Sequence, residues 1–177
     1  MTQPSHPGRA LGGVFLSLFG ATWLVGASYQ YAGVSAPMLA CIGLLTVMLA
    51  SWSLLTFFKR RATYTGGRDV EAGKRIRKSL ILVNITQWSI IGLVILLLNV
   101  TDHVRWIMPA VIFVVGAHFL PLAHIFQYRG YYMTALGLVM VAAIDSALGM
   151  PGRGITVSLL ATGAILWASA ITLLSTT

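Results

Sequence analysis

His118 and His124 have the widest chemical range of any side chains within the apolar runs of this chain of 177 residues, and they stand six positions apart in one such run with Pro121 between them. Six positions on a straight helix rotate through about 240°, so the two imidazoles do not converge on one bound atom and form no ready-made metal pair. Pro121 removes the hydrogen bond to the carbonyl of Ala117 and bends the helix, which frees an acceptor close to His118. His124 shares its face with Gln127, Tyr128 and Tyr131 at helical spacing, and that face reads as a polar seam descending to one membrane interface. A second apolar run carries Asn84, Gln87 and Trp88 at i, i+3 and i+4. Amides facing lipid would leave donors unsatisfied, so this face is expected to turn toward protein. With Gln30, these residues are the strong intramembrane hydrogen-bonding groups. They serve either as interhelical links, each worth about 0.6 to 2 kcal/mol, or as contacts for a small solute.

Other chemistries find no residues to carry them. Paired carboxylates, a histidine box and a nucleophile with its base are all missing from the sequence, so no catalytic residue and no enzyme is expected. No metal site is expected either, and the single cysteine, Cys41, cannot form a disulfide within the chain. Haem would need axial histidines on opposing helices, and the other apolar runs contain none, so no cofactor is predicted. Asp145 is the one acid inside an apolar run. Its position matches that of Asp102, Arg105 and Arg153, which together predict a polar cluster at the outer surface.

The elements that hold these residues follow from composition. The chain is 57% hydrophobic and 9% charged, against about 25% charged in soluble domains. Stretches of about twenty apolar residues cross a ~30 Å hydrocarbon core as helices. Six are read: 11–31, 37–58, 80–100, 106–126, 132–148 and 155–174. The first also fits a signal peptide, but it is expected to remain as a membrane helix because its end is repeated later in the chain. The fold class is therefore all-α, a polytopic membrane protein within one membrane domain, 1–177.

Eight of the twelve basic residues fall between the second and third spans: Lys59, Arg60, Arg61, Arg68, Lys74, Arg75, Arg77 and Lys78. Such a cluster between apolar runs belongs to a cytoplasmic loop, read as 59–78, in which Gly66, Gly67 and Gly73 break any long helix although 70–78 could form a short interfacial one, and nucleic acid is not a predicted partner. With that loop inside, both termini are cytoplasmic, and Arg9 and Arg129 join the inner face while Arg105 and Arg153 lie outside.

Span one contains G-A-T-W-L-V-G-A-S-Y-Q-Y-A-G at 20–33, and span four contains G-A-H-F-L-P-L-A-H-I-F-Q-Y-R-G at 116–130. Aligned with one gap, Gly20 meets Gly116, Gln30 meets Gln127 and Gly33 meets Gly130. Repeats of about 11–100 and 106–174, three crossings each, would enter the bilayer in opposite senses, an inverted-topology 3+3 arrangement with a site near the midplane. Small residues such as Gly13, Ser17 and Ala21 allow close packing within the chain or against a second copy.

Gly116, His118, Phe119, Pro121, Leu122 and Ala123, followed by Tyr131, Tyr132 and Thr134, form a G-x-H-F-x-P-L-A pattern with a Y-Y-x-T continuation. It resembles a group of small multi-pass bacterial membrane proteins to which no activity is assigned. Ala135 stands where that group would have glycine. The resemblance covers about twenty residues and implies a bacterial inner-membrane protein. The expected partners are the lipid bilayer and a small solute bound or passed between spans one, three and four. The competing expectation is a non-catalytic scaffold or partner subunit.

Overall fold

The computed structural model describes residues 8–33, 35–63, 70–148 and 153–175, and of residues 8–10, 32, 60–63, 70–74 and 153–154 it describes the backbone alone. Six α-helices account for nearly all of them: α1 Gly8–Ala32, α2 Ala36–Thr63, α3 Val70–Val100, α4 Ile107–Phe126, α5 Gly130–Leu148 and α6 Arg153–Ser175, with a 3₁₀ turn at Val104–Trp106 before α4. Each contains an apolar stretch of 19 to 26 residues, long enough to cross a bilayer. The six-span membrane fold expected from composition is thus the fold observed.

The basic segment differs from its expected form. α2 runs to Thr63 and α3 begins at Val70, so most of 59–78 is helix and Gly73 does not break it. Lysine and arginine are good helix formers, and one glycine near a helix start costs only about 1 kcal/mol, which a 31-residue helix absorbs. Residues 64–69, including Gly66, Gly67 and Arg68, lie outside the described residues.

The helices group into two compact units, α1 with α2 and α6, and α3 with α4 and α5. This grouping does not follow the division into spans one to three and four to six. In the first unit α1 packs along α6 and against α2. The α1–α6 crossing is set by two glycines. A methyl group built on Gly163 would lie 2.9 Å from the Gly20 carbonyl oxygen, and one on Gly20 would lie 3.2 Å from the Gly163 carbonyl oxygen. Only hydrogen on both sides allows the backbones to come this close, the means by which helices gain contact area in lipid. Beside the crossing, Trp167 Nε1–H donates to the Ser17 carbonyl at 3.0 Å. Leu16, Ala27, Leu159, Leu166 and Ala170 bury the apolar remainder.

In the second unit α4 packs against both α3 and α5. Gly116 plays the part of Gly20 here: a methyl group on it would stand 3.0 Å from Leu138 Cβ and 3.3 Å from the Ala135 carbonyl. Ile112, Phe119 and Ala123 of α4 and Tyr131, Thr134, Ala135 and Leu138 of α5 are buried around this contact.

Candidate functional site

The C-terminal end of α4 is shaped by backbone chemistry. Gln127 adopts the left-handed conformation, φ 49°, directly after the helix. The Tyr128 N–H returns to the Ala123 carbonyl at 3.2 Å and the Gln127 N–H to the His124 carbonyl at 3.4 Å. These two bonds form the Schellman pattern, in which glycine is the usual left-handed residue. Glutamine compensates in part, because its Nε2 donates to the same His124 carbonyl at 2.7 Å. The turn then places Tyr128 edge-on to Tyr131 with ring centroids 5.2 Å apart, and Phe119 and Phe126 also approach Tyr131. Gly130 makes this possible, since a methyl group there would come within 2.7 Å of the Tyr128 hydroxyl.

The aligned segment of α1 ends differently. Gln30 is still helical, and Gly33, φ 72°, provides the left-handed residue with its N–H on the Tyr29 carbonyl at 3.2 Å. Gln30 and Gln127 therefore match in sequence without matching in structural role. The inserted residue of the α4 segment shifts the helix end, so Gln127 takes the left-handed position that glycine holds in α1.

Of the α3 residues expected to turn inward, Gln87 is buried, while Asn84 and Trp88 are exposed. Asn84 satisfies one donor by bonding the Leu80 carbonyl of its own helix at 3.0 Å. His118 is half-buried and meets the neighbouring Phe119 ring edge-on, whereas His124 and Gln127 are exposed and Tyr128 is half-buried. Pro121 lies within the continuous helix α4 and is exposed. Gln30 is exposed near the end of α1, which belongs to the other unit.

Gln87 and His118 are what remains of the expected polar centre. Neither side chain makes a hydrogen bond among the described residues, and neither has its polar atoms among the fully enclosed unsatisfied ones, which are Ser53 Oγ and Thr162 Oγ1. α3 and α4 are antiparallel neighbours joined at 101–106, so residues equally far from the turn stand at equal height. Gln87 precedes the end of α3 by thirteen residues and His118 follows the start of α4 by eleven. At about 1.5 Å per residue their heights differ by only ~3 Å. Gln87 Nε2 offers two donors and Oε1 an acceptor, and a neutral imidazole offers one of each.

Of the groups expected at the outer surface, Asp102, Arg105 and Asp145 have described side chains. No ion pair links Asp102, Arg105 or Asp145 among the described residues. Arg105 lies over the Trp106 ring instead, its Cζ 5.2 Å from the centroid. Asp102 is exposed in a left-handed turn, Asp145 is half-buried, and the side chain of Arg153 lies outside the described residues. Among the described residues no three His, Cys, Asp or Glu side chains are placed to hold a metal ion.

The α1–α6 contact escaped the sequence reading. Its signal was present in Gly20, Gly163 and Trp167, but glycine and tryptophan occur in several spans and nothing in their spacing pairs α1 with α6: Trp167 bonds α1, while Trp88 of α3 is exposed. No protein family, curated protein or solved structure matches the chain.

Proposed function

We propose that this integral membrane protein binds a small solute within the bilayer, with Gln87 and His118 as its principal contacts and Asn84 and Trp88 at the rim. One observation carries the reading: Gln87 is 8% exposed and makes no hydrogen bond, next to a helix whose histidine stands level with it and is likewise unbonded. A polar side chain held within a bilayer without a partner is costly, and a bound molecule that bonds it recovers that cost. The orientation proposed places both termini and the basic helix ends in the cytoplasm of a bacterial cell, from the excess of Lys and Arg on that side.

The scaffold reading rests on a different observation. Asn84, Thr46, Ser28 and Thr134 all bond carbonyls of their own helices, so many polar groups here need neither neighbour nor ligand. A thermal-shift screen of small polar solutes on the detergent-solubilised protein separates the two. Solute binding predicts a stabilising compound whose effect is lost in His118→Ala and Gln87→Ala and kept in Thr134→Ala. The scaffold predicts that no compound stabilises the wild type and that the variants differ only in basal stability.

A further inference from the structure

We infer that the ligand of the Gln87–His118 site is an uncharged carbonyl compound drawn from the bilayer itself; this rests on the solute-binding reading above and names the class of solute.

The first argument is charge. The described charged side chains of this unit stand at helix ends or in turns: Arg75, Arg77 and Lys78 at the start of α3, Asp102 and Arg105 between α3 and α4, Arg129 between α4 and α5, and Asp145 three residues from the end of α5. None lies at the height of Gln87, nine residues beyond Lys78. A charged ligand held there would lack a fixed countercharge in a medium that penalises isolated ions heavily.

The second argument is hydrogen bonding. The two side chains, at similar heights on neighbouring helices, carry up to three N–H donors between them, a set suited to carbonyl oxygens. The third is access. Asn84 and Trp88, which flank Gln87 on α3, are exposed, so the rim of the site opens outward along the side of the helix. Apolar Ile91 and Val115, each one turn from a site residue, are buried. Lateral entry from lipid selects molecules that already partition there. A ring bearing carbonyls would rest against Trp88 at the rim.

The test uses the whole protein in lipid nanodiscs with a decyl-chain benzoquinone as probe, and benzoate and tetramethylammonium as charged comparisons. Thermal stabilisation and quenching of tryptophan fluorescence are titrated against empty nanodiscs. Saturable stabilisation by the benzoquinone is expected, with quenching reduced in Trp88→Phe. Gln87→Leu and His118→Leu should each weaken binding about tenfold, the loss of one hydrogen bond. His118→Gln, which restores a donor, should bind within a fewfold of wild type, and all three variants should keep their ligand-free unfolding midpoint within a few degrees. If a charged probe binds in a Gln87- and His118-dependent way and the benzoquinone does not, the solute-binding reading stands and the uncharged class is overturned. If no probe binds and the general solute screen is also empty, both readings fall. Benzoquinone binding that is unchanged in every variant overturns the site.

Discussion

At the scale of single residues, the left-handed Gln127 shows what the chain tolerates to make the α4–α5 turn. A non-glycine residue in this conformation costs about 1 kcal/mol or more, and its side-chain bond to the His124 carbonyl offsets part of that. Gln127→Ala keeps the strain and loses the bond, so a loss of about 1 kcal/mol is expected. Gln127→Gly loses both together and should stay within about 0.5 kcal/mol of wild type. Reversible unfolding in mixed micelles measures the order, and an alanine variant as stable as the glycine one would refute the account. Gly130→Ala tests the same turn from the other side. The new methyl group forces the Tyr128 ring off Tyr131, costing about 0.5 to 1.5 kcal/mol of aromatic contact, and a Tyr128→Ala background should abolish most of the added cost. The polar residue types of this region were legible in the sequence because amides and imidazoles are rare in membrane spans. Which of them are enclosed was not, since Asn84 and Gln87 share a face within about 60° and only the seating of α3 on α4 separates an exposed amide from a buried one.

At the scale of elements, the six helices were readable from apolar length alone, because the bilayer requires it. Their ends were less so: the charge run at 59–78 looked like a loop, although charged residues lengthen helices beyond the membrane without difficulty. Pairing was the least legible feature. Glycines recur in every span, and the sequence does not say which of them face a backbone. The structure separates them, and with them the expected effects of one substitution. Gly163→Ala and Gly20→Ala push a methyl group against a carbonyl of the facing helix, so each should destabilise by about 1 to 3 kcal/mol as overpacking does. Gly43→Ala and Gly92→Ala meet nothing within 4 Å and should be neutral or stabilising by up to about 1 kcal/mol through helix propensity. Trp167→Phe keeps an aromatic ring and removes the bond to Ser17, with an expected cost of about 1 kcal/mol or more. Steric-trap or denaturant unfolding of the four glycine variants ranks them, and a Gly92→Ala cost equal to that of Gly163→Ala would contradict this assignment of faces.

At the scale of the whole molecule, the open matter is duplication. Each compact unit combines two consecutive helices with one from the other half of the chain: α6 joins α1 and α2, and α3 joins α4 and α5. Were spans one to three and four to six copies of each other, these groupings would correspond helix for helix, with α3 and α6 exchanged. The aligned glycines weigh on both sides. Gly20 and Gly116 are each close-approach positions, yet Gly20 meets α6 while Gly116 meets α5, which are not corresponding helices. Gln30 and Gln127 also differ in conformation. The inverted relation therefore stands or falls on topology, because three crossings per copy must carry the aligned ends of α1 and α4 to opposite membrane faces. Single cysteines placed on a Cys41→Ser background read this directly with a membrane-impermeant thiol reagent. Ser35→Cys, just after α1, and Thr101→Cys, after α3, should label in intact cells. Arg129→Cys, after α4, and Lys59→Cys, in the basic end of α2, should label only once the membrane is opened. Labelling of Arg129→Cys from outside would place the ends of α1 and α4 on one face and end both the six-crossing topology and the inverted repeat. The expected pattern would fix the orientation and leave the exchange of α3 and α6 as the form that any duplication must take.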